Sequence, residues 1–95
     1  MWKEKNNKLE KDFTFNNFKD ALEFINKVGD LSERLNHHPE IYNIYNKVTL
    51  KLSTHDMGDI VTDKDYQLSS EIDKIKWVQI YVFLSFQHQL GTWMI

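Results

Sequence analysis

This 95-residue chain has no cysteine, one proline and three glycines. Without cysteine there can be no disulfide, thiolate metal site or cysteine nucleophile, and the composition suits a reducing compartment. Arginine occurs once, at Arg34, and the other basic residues are scattered lysines within a net charge of −2. That balance leaves no electrostatic footprint for nucleic acid, so direct nucleic-acid binding is not expected. The first residues, Met1-Trp2-Lys3-Glu4-Lys5, contain no apolar h-region, which argues against a secretory leader. The longest apolar run, Trp77 to Phe86, is too short to cross a bilayer. What remains is one domain near the small end of what buries its own core, a size that favours self-association.

Periodicity orders the chain. Asn6-Asn7 tolerates the positive φ of a tight turn, and Phe13-Thr14-Phe15 alternates like a half-buried strand, so residues 2–5 and 8–15 read as a hairpin. Asn16 or Asn17 is a good N-cap. Beyond it Phe18, Ala21, Leu22, Ile25, Val28 and Leu35 mark one helix face, flanked by Phe24 and Leu31. Phe18 and Phe24 are expected in the core, and Gly29 is expected to permit close packing. Pro39 disfavours helical geometry at His38, so the helix should end near Asn36 with His37 and His38 in an exposed turn.

Ile41–Tyr45 and Val48–Ser53 read as strands joined at Asn46-Lys47. The odd spacing of Tyr42 and Tyr45 puts one in the core and one at a cleft. Residues 55–59 form a loop in which Gly58 can take positive φ. Thr62-Asp63-Lys64-Asp65 has the capping-box pattern, and Leu68, Ile72 and Ile75 supply the inner face of the helix it opens. The order strand-strand-helix-strand-strand-helix implies an α+β domain, a four-stranded antiparallel sheet with helices packed on one face. Residues 1–75 form this domain. Residues 76–95 are an atypical apolar extension expected to continue the last helix, and His88 within it is read as incidental.

The chemistry sits in Glu33-Arg34-Leu35-Asn36-His37-His38-Pro39-Glu40 and in Ser53-Thr54-His55-Asp56. Histidine titrates near physiological pH, so three imidazoles around one cleft can both give and take protons. Taken singly, a histidine pair before proline suits a surface turn, Asp65 suits a cap, and Glu33 suits a solvated helix edge. Three imidazoles could also hold zinc, but no fourth ligand is obvious.

Glu33-x-x-x-His37-His38-Pro39-Glu40, Tyr42-Asn43-Ile44-Tyr45-Asn46-Lys47-Val48, Leu52-Ser53-Thr54-His55-Asp56-x-Gly58 and Thr62-x-x-Asp65, with Phe13-Thr14-Phe15, Phe18, Ala21, Phe24 and Leu68, resemble the pterin-4a-carbinolamine dehydratase family over about residues 9–75. The resemblance implies a hydro-lyase that removes water from 4a-hydroxytetrahydrobiopterin to give the quinonoid dihydropterin, in tetrahydrobiopterin recycling. It implies no cofactor or metal, a pterin as substrate, a homo-dimer or homo-tetramer, and a cytoplasmic, in some cases nuclear, location. By position, His37, His38 and His55 resemble the catalytic histidines, and Asp65, Glu33 and Pro39 their supporting residues. Glu40, Ile41, Ser53 and Thr54 would meet the substrate. Acid–base exchange falls to His37 and His55, and holding the pterin to His38.

Three departures stand out. Ile41 replaces a common tryptophan, the stretch from His55 to Asp65 is one residue longer than usual, and the N-terminal helix of longer members is missing. Two other roles are compatible with the resemblance: a non-enzymatic dimerisation or coactivator-type module, and an inactive member.

Overall fold

The computed structural model describes the backbone of residues 1–88 and the side chains of residues 1–75. Four strands and two long helices follow in the order β1 (Lys3–Lys5), β2 (Lys8–Thr14), α1 (Phe18–Leu35), β3 (Glu40–Ile44), β4 (Lys47–Leu52) and α2 (Asp63–His88). The sheet is antiparallel throughout, in the spatial order β1-β2-β4-β3. This is the α+β arrangement read from the sequence. Among the described residues, no helix is long and apolar enough to cross a membrane.

Each hairpin register follows from its turn. Asn6 and Asn7 both hold positive φ, 53° and 62°, the twist that a two-residue hairpin needs. The β3–β4 turn lies one residue earlier than expected, at Tyr45-Asn46, with Tyr45 at φ 51°. Asn43 explains the shift, since its side-chain amide donates to the Tyr45 and Lys47 carbonyls at 3.2 and 2.9 Å. Tyr45 is therefore exposed in the turn. Tyr42 is exposed as well, with the Lys51 ammonium 5.2 Å from its ring. Neither tyrosine is in the core.

Asn17 caps α1 by accepting the Asp20 N–H at 2.8 Å. The buried face of α1 is Ala21, Phe24, Val28 and Leu31, packed on Leu9, Phe13, Val48, Leu50 and Leu52 of the sheet and Leu68 and Ile72 of α2. Phe24 joins Phe13 and Phe15 at ring separations of 4.7 and 5.0 Å. The face is thus rotated away from the expected stripe. Phe18 and Leu22 lie on its rim, 45 and 40 % exposed, and Phe18 is not a core residue. Gly29 makes no close approach either, because a methyl group there would meet nothing within 4 Å.

Candidate active site

The end of α1 sets the position of the first histidine. Asn36 adopts a left-handed conformation, φ 52° and ψ 46°. Its N–H donates to the Glu33 carbonyl at 3.3 Å and the His37 N–H to the Ser32 carbonyl at 3.0 Å. This pair of bonds is a Schellman stop, which satisfies orphan carbonyls of the last turn. The chain therefore turns back before Pro39 can act, and His37 is folded against the protein, its side chain 12 % exposed. His38 is the exposed member of the pair. The expected exposed turn holds for only one of the two histidines.

The start of α2 supplies the partner of His37. Asp65 occupies the third helical position and is fully buried. One carboxylate oxygen, Oδ2, accepts the Thr62 N–H and the Thr54 hydroxyl, each at 2.8 Å. The other, Oδ1, lies 2.6 Å from His37 Nε2. Capping and histidine contact are thus divided between the two oxygens of one side chain. The Thr62 hydroxyl does not reach the Asp65 N–H; it accepts from Lys64 N–H at 3.3 Å and lies 2.5 Å from the Thr54 hydroxyl.

The remaining imidazoles have carboxylates of their own. His38 Nε2 is 2.6 Å from Glu33 Oε2, and both side chains are mostly exposed. His55 Nδ1 is 3.0 Å from Asp59 Oδ1 on a single 3₁₀ turn, His55–Met57, that protrudes from the end of β4. Thr54 and Ile60 pair across the neck of this loop, while Gly58 and Asp59 hold positive φ, 86° and 59°. The His55 ring is 90 % exposed. Its pKa is raised above 6.5 by the hydrogen bond to Asp59 and by that residue's charge. No hydrogen bond joins one imidazole to another among the described residues.

Other residues of the expected site are more dispersed. An open groove of about 430 Å³ beside α1 gathers Glu33, His38, Pro39 and Ile41 with Ile25 and Gly29. His37, His55, Ser53 and Thr54 are not part of its lining. Glu40 points to the outer face of the sheet, opposite to Ile41, and is engaged there by Lys8. The hydroxyl of half-buried Ser53 makes no hydrogen bond among the described residues, whereas that of buried Thr54 is bonded to both Asp65 and Thr62.

The sequence reading overlooked two members of this constellation. Thr62 was seen as a helix cap and as part of the Thr62-x-x-Asp65 motif, with no link to Thr54. Asp59 was unremarked, although its spacing of four from His55 carried the signal. No group of three or more His, Cys, Asp or Glu side chains among the described residues could hold a metal ion.

Two helices on one face of a four-stranded antiparallel sheet, with paired imidazoles at the stop of the first helix, define the pterin dehydratase fold. The chain belongs to the pterin 4 alpha carbinolamine dehydratase family, whose sequence model matches residues 1–75. A relative from Prochlorococcus marinus is 51 % identical over 76 residues, covering 80 % of this chain and 78 % of its own. One from Sulfolobus acidocaldarius is 44 % identical over 75 residues, covering 79 and 81 %. Both are provisionally named pterin-4-alpha-carbinolamine dehydratases.

Among solved structures, a transcriptional coactivator/pterin dehydratase from Brucella melitensis superposes with a TM-score of 0.73 at 30 % identity, covering 78 % of this chain and 80 % of that one. A pterin dehydratase-like protein described as a RuBisCO assembly factor in the alpha-carboxysome shares the fold, with a TM-score of 0.62 at 21 % identity and coverage of 78 and 84 %.

Proposed function

We propose that this protein dehydrates 4a-hydroxytetrahydropterin to the quinonoid dihydropterin, as part of tetrahydropterin recycling. The observation that carries the reading is the clamp of His37 by buried Asp65. An ionised carboxylate can only accept, so the imidazole proton resides on Nε2. In the neutral ring Nδ1 is then a bare lone pair, with no partner among the described residues. His55 is the complementary group, because its raised pKa keeps it protonated to higher pH than a free imidazole.

The reaction divides between them. His37 Nδ1 takes the proton from pterin N5 as the C4a=N5 double bond forms. His55 delivers its proton to the 4a-hydroxyl, which leaves as water. Exchange with solvent restores both rings. Each acid–base contribution is worth about 10²–10⁴-fold. His38, held by Glu33 at the mouth, supports the pterin ring together with Pro39 and Ile41, while Ser53 offers a free hydroxyl. The chemistry assigned to these side chains needs no cofactor, and the pterin is the substrate.

A stopped-flow assay on 4a-hydroxytetrahydropterin tests this reading. His37→Ala and His55→Ala should each lose most turnover while retaining the wild-type circular dichroism. Full activity in both variants would eliminate the dehydratase.

A second reading is a partner-binding module that also forms a homo-dimer or homo-tetramer. The specific observation in its favour is the open edge of β3, where Tyr42, Ile44 and neighbouring Tyr45 are exposed. The coactivator designation of the Brucella melitensis structure points the same way. Ile44→Lys should reduce the mass measured by light scattering under this reading and leave dehydration by each chain intact. On either reading, we place the protein in the cytoplasm.

A further inference from the structure

Thr54 and Thr62 form one hydroxyl chain with Asp65. An ionised Asp65 carboxylate can only accept, so the three groups facing it then all donate: Thr62 N–H, Thr54 O–H and His37 Nε2–H. Thr54 has a single proton, and that proton is committed to Asp65. The 2.5 Å contact between the two threonines is therefore donated by Thr62. The Thr62 oxygen in turn accepts the Lys64 N–H of the first turn of α2. The donors converge on the buried carboxylate, the Lys64 N–H and the two hydroxyls in series from the helix N-terminus and His37 Nε2–H from the opposite side. With Asp65 ionised, this assignment satisfies all five contacts.

We infer that Thr54 and Thr62 are positioning residues that hold Asp65, and through it the Nε2–H tautomer of His37. This removes Thr54 from the substrate-contacting set, since the residue is 3 % exposed and its one proton is already given to Asp65. Without the Thr54 hydroxyl, Asp65 Oδ2 keeps one donor, the Thr62 N–H. The carboxylate is then free to turn about its broad terminal torsion, and its hold on the imidazole weakens. Without the Thr62 hydroxyl, Thr54 keeps its proton but loses the contact that aims it. The effect at Thr62 should accordingly be the smaller one.

The effect on turnover rests on the dehydratase reading; the effect on the imidazole does not. The test uses full-length Thr54→Val, Thr54→Ser and Thr62→Val. For each, ¹⁵N spectra of the ligand-free protein report which nitrogen of His37 carries the proton at a pH where the ring is neutral, and stopped-flow dehydration gives kcat and KM. In wild type the Nε2–H form should dominate. Thr54→Val should populate the other tautomer and lower kcat about 10–100-fold with KM unchanged, the scale seen when a histidine loses its orienting partner. Thr54→Ser should restore both readouts, and Thr62→Val should show the same changes reduced.

A raised KM with unchanged tautomer and kcat in Thr54→Val would make Thr54 a substrate contact and overturn the assignment. An unchanged tautomer in both valine variants would overturn it too. Should Thr54→Val fail to fold, Thr62→Val decides alone. A tautomer change in the valine variants, with no dehydratase activity in the wild type, would keep the positioning role and remove the dehydratase reading.

Discussion

His37–Asp65 and His55–Asp59 are the same chemical pair in opposite surroundings. In the first, the carboxylate is fully buried and the imidazole nearly so, at 2.6 Å. In the second, the imidazole is 90 % and the carboxylate 63 % exposed, at 3.0 Å. The buried carboxylate is held by three donors, one each from the end of α1, the end of β4 and the start of α2. The Asp59 carboxylate has one hydrogen-bond donor among the described residues, the ring four residues before it. Burial therefore decides what the pair can do. The inner pair fixes a tautomer and an orientation, because a misplaced group there leaves a charge without partners. The outer pair shifts a titration and little else, because water and salt compete for both partners.

The largest expected effect breaks the inner pair. Asp65→Asn can turn its amide toward His37 and donate where the carboxylate accepted, which reverses the tautomer. Dehydration should fall on the order of 10²–10⁴-fold by stopped-flow, the scale of losing a correctly held acid–base group. A loss below tenfold would put the two pairs on an equal footing. Next comes stability. His37→Ala leaves buried Asp65 without one of its donors and should cost about 1–3 kcal/mol in urea unfolding. His55→Ala removes an exposed ring and should leave the unfolding midpoint where it was. Equal midpoints for the two variants would contradict the contrast in burial.

Much of this contrast was hidden from the sequence even though the elements were legible. The order of strands and helices, the Asn6-Asn7 turn and the α2 inner face of Leu68 and Ile72 follow from period and turn chemistry. The helix face was misjudged because Phe18, Leu22 and Ile25 recur at steps of three and four just as Ala21, Phe24 and Val28 do, and period alone cannot choose between adjacent stripes. The sheet chose, by placing β2 and β4 opposite Phe24. The stop of α1 falls near Asn36 as expected, but it is produced by Asn36 in a left-handed conformation and not by Pro39. That difference buries His37 and separates it from His38. Thr62 was recognisable as a cap, but its hydroxyl serves Thr54, eight residues away across a loop. Local patterns do not record contacts of that kind.

The loop that carries His55 provides two smaller tests. Gly58 sits at φ 86°, where an L side chain is strained even though a methyl group would meet nothing within 4 Å. Gly58→Ala should cost about 1 kcal/mol in unfolding. If activity falls by more than stability does, the loop has moved His55 away from the substrate.

The smallest effect removes the outer pair's charge. Asp59→Asn deletes the hydrogen bond and the charge that raise the His55 pKa, so the ring should titrate back toward 6.5 in an NMR titration. The sign in stability follows from linkage. A group whose folded pKa lies above its unfolded value adds stability below the unfolded pKa, and that contribution disappears as pH rises through the folded pKa. Asp59→Asn should therefore matter only on the acidic side, and should become invisible at alkaline pH and in high salt. On the dehydratase reading, the alkaline limb of the turnover profile should move to lower pH with it, because the proton donor is lost sooner. The tautomer of His37 should stay as it is, since the Asp59 side chain makes no hydrogen bond to the donors around Asp65 among the described residues and its backbone N–H meets Thr54 only at the carbonyl. A change at His37 on mutating Asp59 would mean that the two pairs work as one unit.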